Sequence, residues 1–220
     1  MRINVFVAQA TGLSRRAADR VIADGQVQIN GQSATTGTQV NNGDVVVFEG
    51  QTLTLPHAYR TIMLNKPVGY VVSRDGQGSQ TIYDLLPAEY HNLKPIGRLD
   101  KDSSGLLLLT DDGQLTQELT HPKYAKHKVY EVELDKPLEP LHQQMISNIG
   151  IHLDDGHSQL QLEKLDDAQH WRVTMHEGRN RQIRRTFAAL GYTVTKLHRT
   201  KFDKYTLDDL PVGHHTSLKK

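Results

Sequence analysis

The residues best placed to do chemistry sit together in Gly97-Arg98-Leu99-Asp100-Lys101-Asp102-Ser103-Ser104-Gly105, which runs straight into Leu106-Leu107-Leu108-Leu109-Thr110. An acid stands near the start of a polar loop that glycines bound and an apolar strand anchors. Held that way, a carboxylate is partly shielded from water and becomes useful as a nucleophile or a base. The same residue types also make ordinary turn and capping hydrogen bonds, so the spacing by itself leaves both readings open.

Other chemistries are excluded or unsupported. The chain has no cysteine, which removes disulfide scaffolds, thiolate zinc sites and thiol nucleophiles. Its 12 histidines are scattered without metal-ligand spacing, so no metal is expected. No Gly-x-Gly-x-x-Gly or Walker pattern occurs, so no nucleotide cofactor is expected either. The formal net charge of +1 hides an asymmetry. Between Trp171 and Lys204, nine Lys and Arg (Arg172, Arg179, Arg181, Arg184, Arg185, Lys196, Arg199, Lys201, Lys204) face only Glu177 and Asp203, about +7, which leaves about −6 elsewhere. A local basic field of that size is the usual footprint of a polyanionic partner.

The elements that must position these residues can be read from periodicity. The 220 residues allow one or two domains. Ile3, Phe6, Val7 and Ala10 recur at helical spacing, with Gly12 as the stop. Ser14 caps a second helix that turns Ala17, Ala18, Val21 and Ile22 inward and Arg15, Arg16 and Arg20 outward, and Gly25 closes it. Asn30-Gly31 marks a hairpin turn after Val27 and Ile29, and Val45 to Phe48 a further strand. This gives a module over 1–50, a linker over 51–59 containing Pro56, and a second domain over 60–220. Strands are expected at 60–64, 70–72, 106–109, 129–134, 160–162, 171–175 and 192–197, with helices at 115–119, 138–149 and 180–190. His214-His215 and Lys219-Lys220 read as a polar tail. The pattern lacks a regular strand–helix–strand rhythm, so the fold class is α+β: a small N-terminal α/β module, then a mixed, mainly antiparallel sheet with flanking helices. No stretch reaches the roughly 18 apolar residues of a membrane span, and MRINVFVAQATGLSRR lacks a secretory core, so a soluble cytoplasmic protein is expected.

Several segments carry a family resemblance. SRRAADRVIADGQVQINGQ resembles the ribosomal-protein-S4-type RNA-binding module, and GRLDKDSSGLLLLT resembles the catalytic motif of RNA pseudouridine synthases. LNKPVGYVVS at 64–73, KVYEVEL at 128–134 and EGRNRQIRRTFAALGYTVTKLHR at 177–199 resemble that family's remaining motifs in order. The resemblance implies conversion of a ribosomal RNA uridine to pseudouridine by base flipping and by aspartate-dependent breaking and remaking of the glycosidic bond. Asp100 matches the essential aspartate, Tyr130 the aromatic that stacks on uracil, and Arg184 the cation that pairs with the aspartate. Leu197 matches the aliphatic wall of the uracil pocket, with Arg98 and Lys66 as further substrate contacts. Arg15, Arg16, Arg20, Arg179, Arg181, Arg185 and Arg199 are the expected RNA contacts. Helical spacing sets Ile183, Phe187 and Leu190 on one face and Arg181, Arg184, Arg185 and Ala188 on the other. One departure is Asp203-Lys204, where many relatives carry glycine. QTIYDLLP and EGRNRQIRR lean toward large-subunit enzymes, while TDDGQ and LHRTK also occur in small-subunit types. The expected partner is ribosomal RNA or an assembling subunit, engaged by a monomer without a cofactor. The alternative, an inactive ribosome-assembly factor, has no need of a carboxylate facing RNA.

Overall fold

The computed structural model describes residues 1–55 and 59–218. It divides into two compact units, Met1–Tyr59 and Arg60–Lys220. The first contains α1 (Ile3–Thr11), α2 (Arg15–Ala23), β1 (Val27–Ile29), β2 (Gln32–Ser33), β3 (Val46–Phe48) and β4 (Gln51–Thr52). Gly12 closes α1 in the left-handed region, and the Ser14 side chain accepts from Ala17 N at the start of α2. Asn30 and Gly31, both at positive φ, make the tight turn between β1 and β2. The sheet runs β2-β1-β3-β4. Ile3, Val7, Ala18, Ile22, Val27 and Val46 fill its core, leaving Arg15, Arg16 and Arg20 exposed. Gln51 and Thr52, expected in a linker, instead pair with β3, because Phe48 to Thr52 turns back on itself as a hairpin. Residues 56–58 of that linker lie outside the described residues.

The second unit contains β5 (Thr61–Lys66), β6 (Lys94–Pro95), β7 (Ser104–Thr110), α3 (Gly113–Thr120), β8 (Lys128–Leu134), α4 (Pro140–Gln144), β9 (Ile151–Leu153), β10 (Gly156–Ser158), β11 (Gln161–Lys164), β12 (His170–Met175), α5 (Gln182–Ala188), β13 (Val194–Phe202), β14 (Tyr205–Thr206) and β15 (His215–Ser217). Its main sheet has the order β11-β12-β8-β13-β7-β5-β15, with β14 beside β13 and β6 beside β7. Every ladder is antiparallel except β13 against β7. The architecture is the expected mixed, mainly antiparallel α+β one.

The leucine run of β7 explains why this strand is central. Leu107 and Leu109 enter one core with Ile62, Leu64, Tyr130, Val132, Ile183 and Phe187, while Leu106 and Leu108 enter a second with Met63, Ile96 and Phe202. Alternate side chains point to opposite faces, so a strand covered on both sides must be apolar throughout. The segment expected as a strand at 70–72 makes only an isolated bridge, Val71 to Thr81, because the turn after Pro67 leads it away from the sheet. The segment expected as a polar tail supplies β15, whose backbone pairs with the sheet edge through β5. Among the described residues, no helix is long and apolar enough to cross a membrane.

Each unit has a core of its own. A chain lacking residues 1–59 should therefore still unfold in one cooperative transition, followed by far-ultraviolet circular dichroism. Loss of that transition would mean the second core depends on the first unit.

Candidate active site

Strands β8, β12 and β13, helices α3 and α5 and the loop before β7 converge on a cavity of about 830 Å³, lined by Asp100, Tyr130, Leu197 and Arg199 among others. Its volume falls in the range of roughly 300–1,000 Å³ typical of ligand sites. The loop bearing Asp100 enters β7, Tyr130 lies on β8, and Leu197 and Arg199 lie on β13. Tyr130 and Arg199 are direct ladder partners, and Arg199 is also opposite Gly105 at the parallel junction. Gly105 and Arg199, 94 positions apart in sequence, are thus brought together by sheet pairing. Tyr130 and Leu197 are both nearly buried, with one side toward the cavity.

The Asp100 loop is held from below by Lys66. Its side chain is fully buried, and Nζ donates to the carbonyls of Pro67 (2.9 Å), Asp100 (3.1 Å) and Ser103 (2.7 Å). Gly69 N adds a bond to Lys101 O at 2.7 Å. Lys66 was expected to contact substrate; the structure overturns this, because an ammonium saturated by three carbonyls has no donor left for a ligand. It pins the loop instead. Burial lowers its pKa from 10.5 to about 8, against the pull of Asp100 and Asp102. Between those values the unfolded chain binds more protons than the fold, so the Lys66 contribution to stability rises with pH, by at most about 1.4 kcal/mol per unit. Denaturant midpoints at pH 7.5 and 9.5 should show this rise in the wild type and its absence in Lys66→Met. An identical pH response in both would contradict it.

The carboxylate of Asp100 is open to the cavity, with 38% of its side chain exposed, and its nearest cation is Arg181 at 3.6 Å. Arg184 was expected to make this pair. It lies instead against Asp102, with Nη2 donating to the backbone carbonyl at 2.8 Å and Nε 3.3 Å from the carboxylate, while Nη1 donates to Val194 O. The reason is depth. Arg184 is nearly buried, with 12% of its side chain exposed, so it reaches the base of the loop rather than the carboxylate at its mouth. Arg181 grips the Asp102 carboxylate with two bonds of 3.0 and 2.9 Å. That bidentate contact, aided by Arg184, holds the Asp102 pKa below its ordinary value despite partial burial. Burial shifts the Arg184 guanidinium down, opposed by Asp102. Asp102, two residues from Asp100, thus anchors the loop to α5 through both arginines. From sequence Asp102 reads as a turn or capping acid, although an acid facing an arginine-rich helix was a visible signal.

Several arginines expected on RNA are committed within the protein. Arg185 binds Asp155 through both terminal nitrogens (3.1 and 2.6 Å), and Arg179 binds Asp155 at 2.9 Å and His157 O at 2.7 Å. These bonds dock the β9–β10 hairpin onto α5, reinforced by buried Gln182, Ser158 and Thr186. The hairpin went unread, although the Asp155-Gly156 pair at its turn was a signal for it. Arg199, also expected on RNA, is 2% exposed, with Nε donating to Leu106 O, and it lines the cavity rather than the outer surface. Arg98 is exposed at the cavity rim, as a substrate contact requires. Among the described residues, no group of three or more His, Asp or Glu could hold a metal.

Residues 60–189 match the RNA pseudouridylate synthase family, and residues 1–46 match the S4 domain. A ribosomal small subunit pseudouridine synthase A from Pasteurella multocida is 39% identical over 99% of this chain and 96% of its own length. A ribosomal large subunit pseudouridine synthase B from Xanthomonas campestris is 37% identical over 94% of this chain, which spans 44% of that relative. A crystal structure of a pseudouridylate synthase superposes with a TM-score of 0.71 at 37% identity, covering 100% of this chain and 96% of the other.

Proposed function

The chain belongs to the RNA pseudouridylate synthase family, and from that premise we propose that it converts a uridine of ribosomal RNA to pseudouridine, with Asp100 as the essential carboxylate. The observation that carries this reading is the cavity itself, where an exposed Asp100 carboxylate faces a space walled by Tyr130 and Leu197. Uridine is flipped out of its RNA stack into that space, and Tyr130 and Leu197 flank the ring. Asp100 either attacks the anomeric carbon of the sugar or removes a sugar proton to begin elimination. Arg181 stands 3.6 Å from the carboxylate, and Lys66, Asp102 and Arg184 keep its loop in place. The S4 domain, with Arg15, Arg16 and Arg20 exposed on α2, grips RNA through phosphates, and Arg98 guards the entrance.

The QTIYDLLP and EGRNRQIRR segments favour large-subunit RNA. A second reading, small-subunit RNA, is favoured by the near full-length match to a small-subunit relative. The test is incubation of the purified protein with both ribosomal RNAs, as transcripts and as partly assembled particles, followed by chemical mapping of pseudouridine. A single new site in one RNA is expected. No new site in any of them, with the protein folded and bound, would overturn the reading and leave the assembly-factor alternative.

A further inference from the structure

Wherever else an arginine walls the cavity in depth, the protein supplies an acid. Arg181 has Asp102, and Arg179 has Asp155 and Glu177. Arg98 at the exposed rim apart, two lining cations break the pattern. Lys128 and Arg199 both stand over the ring of Phe202, at 5.4 and 5.1 Å from its centroid, and both line the cavity. Among the described residues, neither forms an ion pair within 4.0 Å. Lys128 donates only to the backbone carbonyl of Glu177, at 3.2 Å. Arg199 spends Nε on Leu106 O, and its Nη2 is buried with no partner at all. Its guanidinium also lies 6.0 Å from the centroid of Tyr130.

Two like charges over one ring, a half-buried Lys128 and a buried Arg199 with an unsatisfied N–H, are costly unless an anion completes them. Their mutual presence registers on Lys128, whose pKa is lowered first by burial and then by Arg199, against a weaker pull from Glu177. Ser103 Oγ, buried in the same wall, is likewise without a partner. The cavity is therefore unfinished on its polar side.

Resting on the uridine-isomerising function proposed above, we propose that Arg199 and Lys128 form an anion seat that holds the detached uracil ring. When the bond between C1′ and N1 breaks, its electron pair stays on the ring, and uracil leaves as a monoanion with charge shared among N1, O2 and O4. This holds whether a carboxylate oxygen bonds to C1′ or takes a proton from C2′. After the ring turns, C5 supplies the pair for the new bond to C1′, and the carboxylate lets go of the carbon or returns the proton. C5 then loses its proton and N1 gains one, so the sum is an isomerisation. A fixed guanidinium stabilises the anion where it forms and is poorly matched to neutral uridine, which is the differential binding that accelerates a step.

The test compares wild type with Arg199→Gln and Lys128→Met in melting temperature, RNA affinity and single-turnover rate on a ribosomal RNA fragment that the wild type modifies. Arg199→Gln should keep RNA affinity within about threefold and slow turnover roughly 10²- to 10³-fold, the effect of losing one preorganised donor. On RNA with 6-azauridine at the target, whose ring accepts negative charge more readily, the loss should shrink. Weaker RNA binding with an unchanged saturated rate would assign the seat to a backbone phosphate and overturn the proposal. Equal loss on both bases would reduce Arg199 to a structural role. If Arg199→Gln fails to fold, Arg199→Lys and Lys128→Met make the same comparison. A wild type inactive on every RNA removes the underlying function; an active wild type with unimpaired variants removes this inference alone.

Discussion

Asp100→Asn should bind RNA as the wild type does and leave uridine unchanged, with turnover reduced by three or more orders of magnitude. The two halves of this expectation have separate causes. Affinity comes mainly from phosphate contacts made by arginines and lysines, which the substitution does not touch. Chemistry needs a group that can share electrons with, or take a proton from, the sugar, and a carboxamide of the same shape does neither. The loop should survive, because its restraints run to Lys66 through the Asp100 carbonyl and to Arg181 and Arg184 through Asp102. Among the described residues, the only side-chain ion pair removed is the 3.6 Å contact with Arg181, which is half-exposed and worth little to stability. Single-turnover rates beside filter-binding affinities check this. A large loss of affinity would show that the carboxylate organises the RNA surface rather than the reaction.

Gly105→Ala should remove stability and activity together. Gly105 has φ +106, and a Cβ there would lie 2.2 Å from Arg199 O and 2.5 Å from Arg199 N. Those atoms are backbone on the neighbouring strand, so no side chain can swing aside; β7 and β13 must separate where they run parallel. Overpacking a tight site costs about 1–3 kcal/mol and the left-handed backbone about as much again, so a loss of roughly 3 kcal/mol or more is expected. The same separation moves Arg199 and Leu197 away from Asp100. A denaturant titration beside an activity assay checks both, and a stable, fully active Gly105→Ala would contradict the role given to this junction.

The fold was legible where the code is local. Ser14, Gly12 and Asn30-Gly31 act within a few residues of themselves, and each takes the conformation its type favours. The unbroken leucines of β7 announced a strand covered on both faces. What escaped depended on partners far along the chain. Lys66 and Arg199 look in sequence like surface cations, and only the strands around them decide that they are buried. Asp155 recruits Arg179 and Arg185 from 24 and 30 residues away, turning expected RNA contacts into struts for the site. β15 carries no alternating apolar signal, because an edge strand can pair through backbone alone. Family motifs pointed to Asp100, Tyr130 and Leu197, which line one cavity; they did not distinguish Arg181 from Arg184 as the neighbour of Asp100, a difference set by side-chain depth.

The central claim is most directly tested by mapping pseudouridine at single-nucleotide resolution in ribosomal RNA from cells with the wild-type protein, without it, or with Asp100→Asn. One site present with the wild type and missing from both other maps is the predicted result, and it would identify the target and tie its modification to the carboxylate. Three identical maps would contradict the account and turn attention to binding without catalysis.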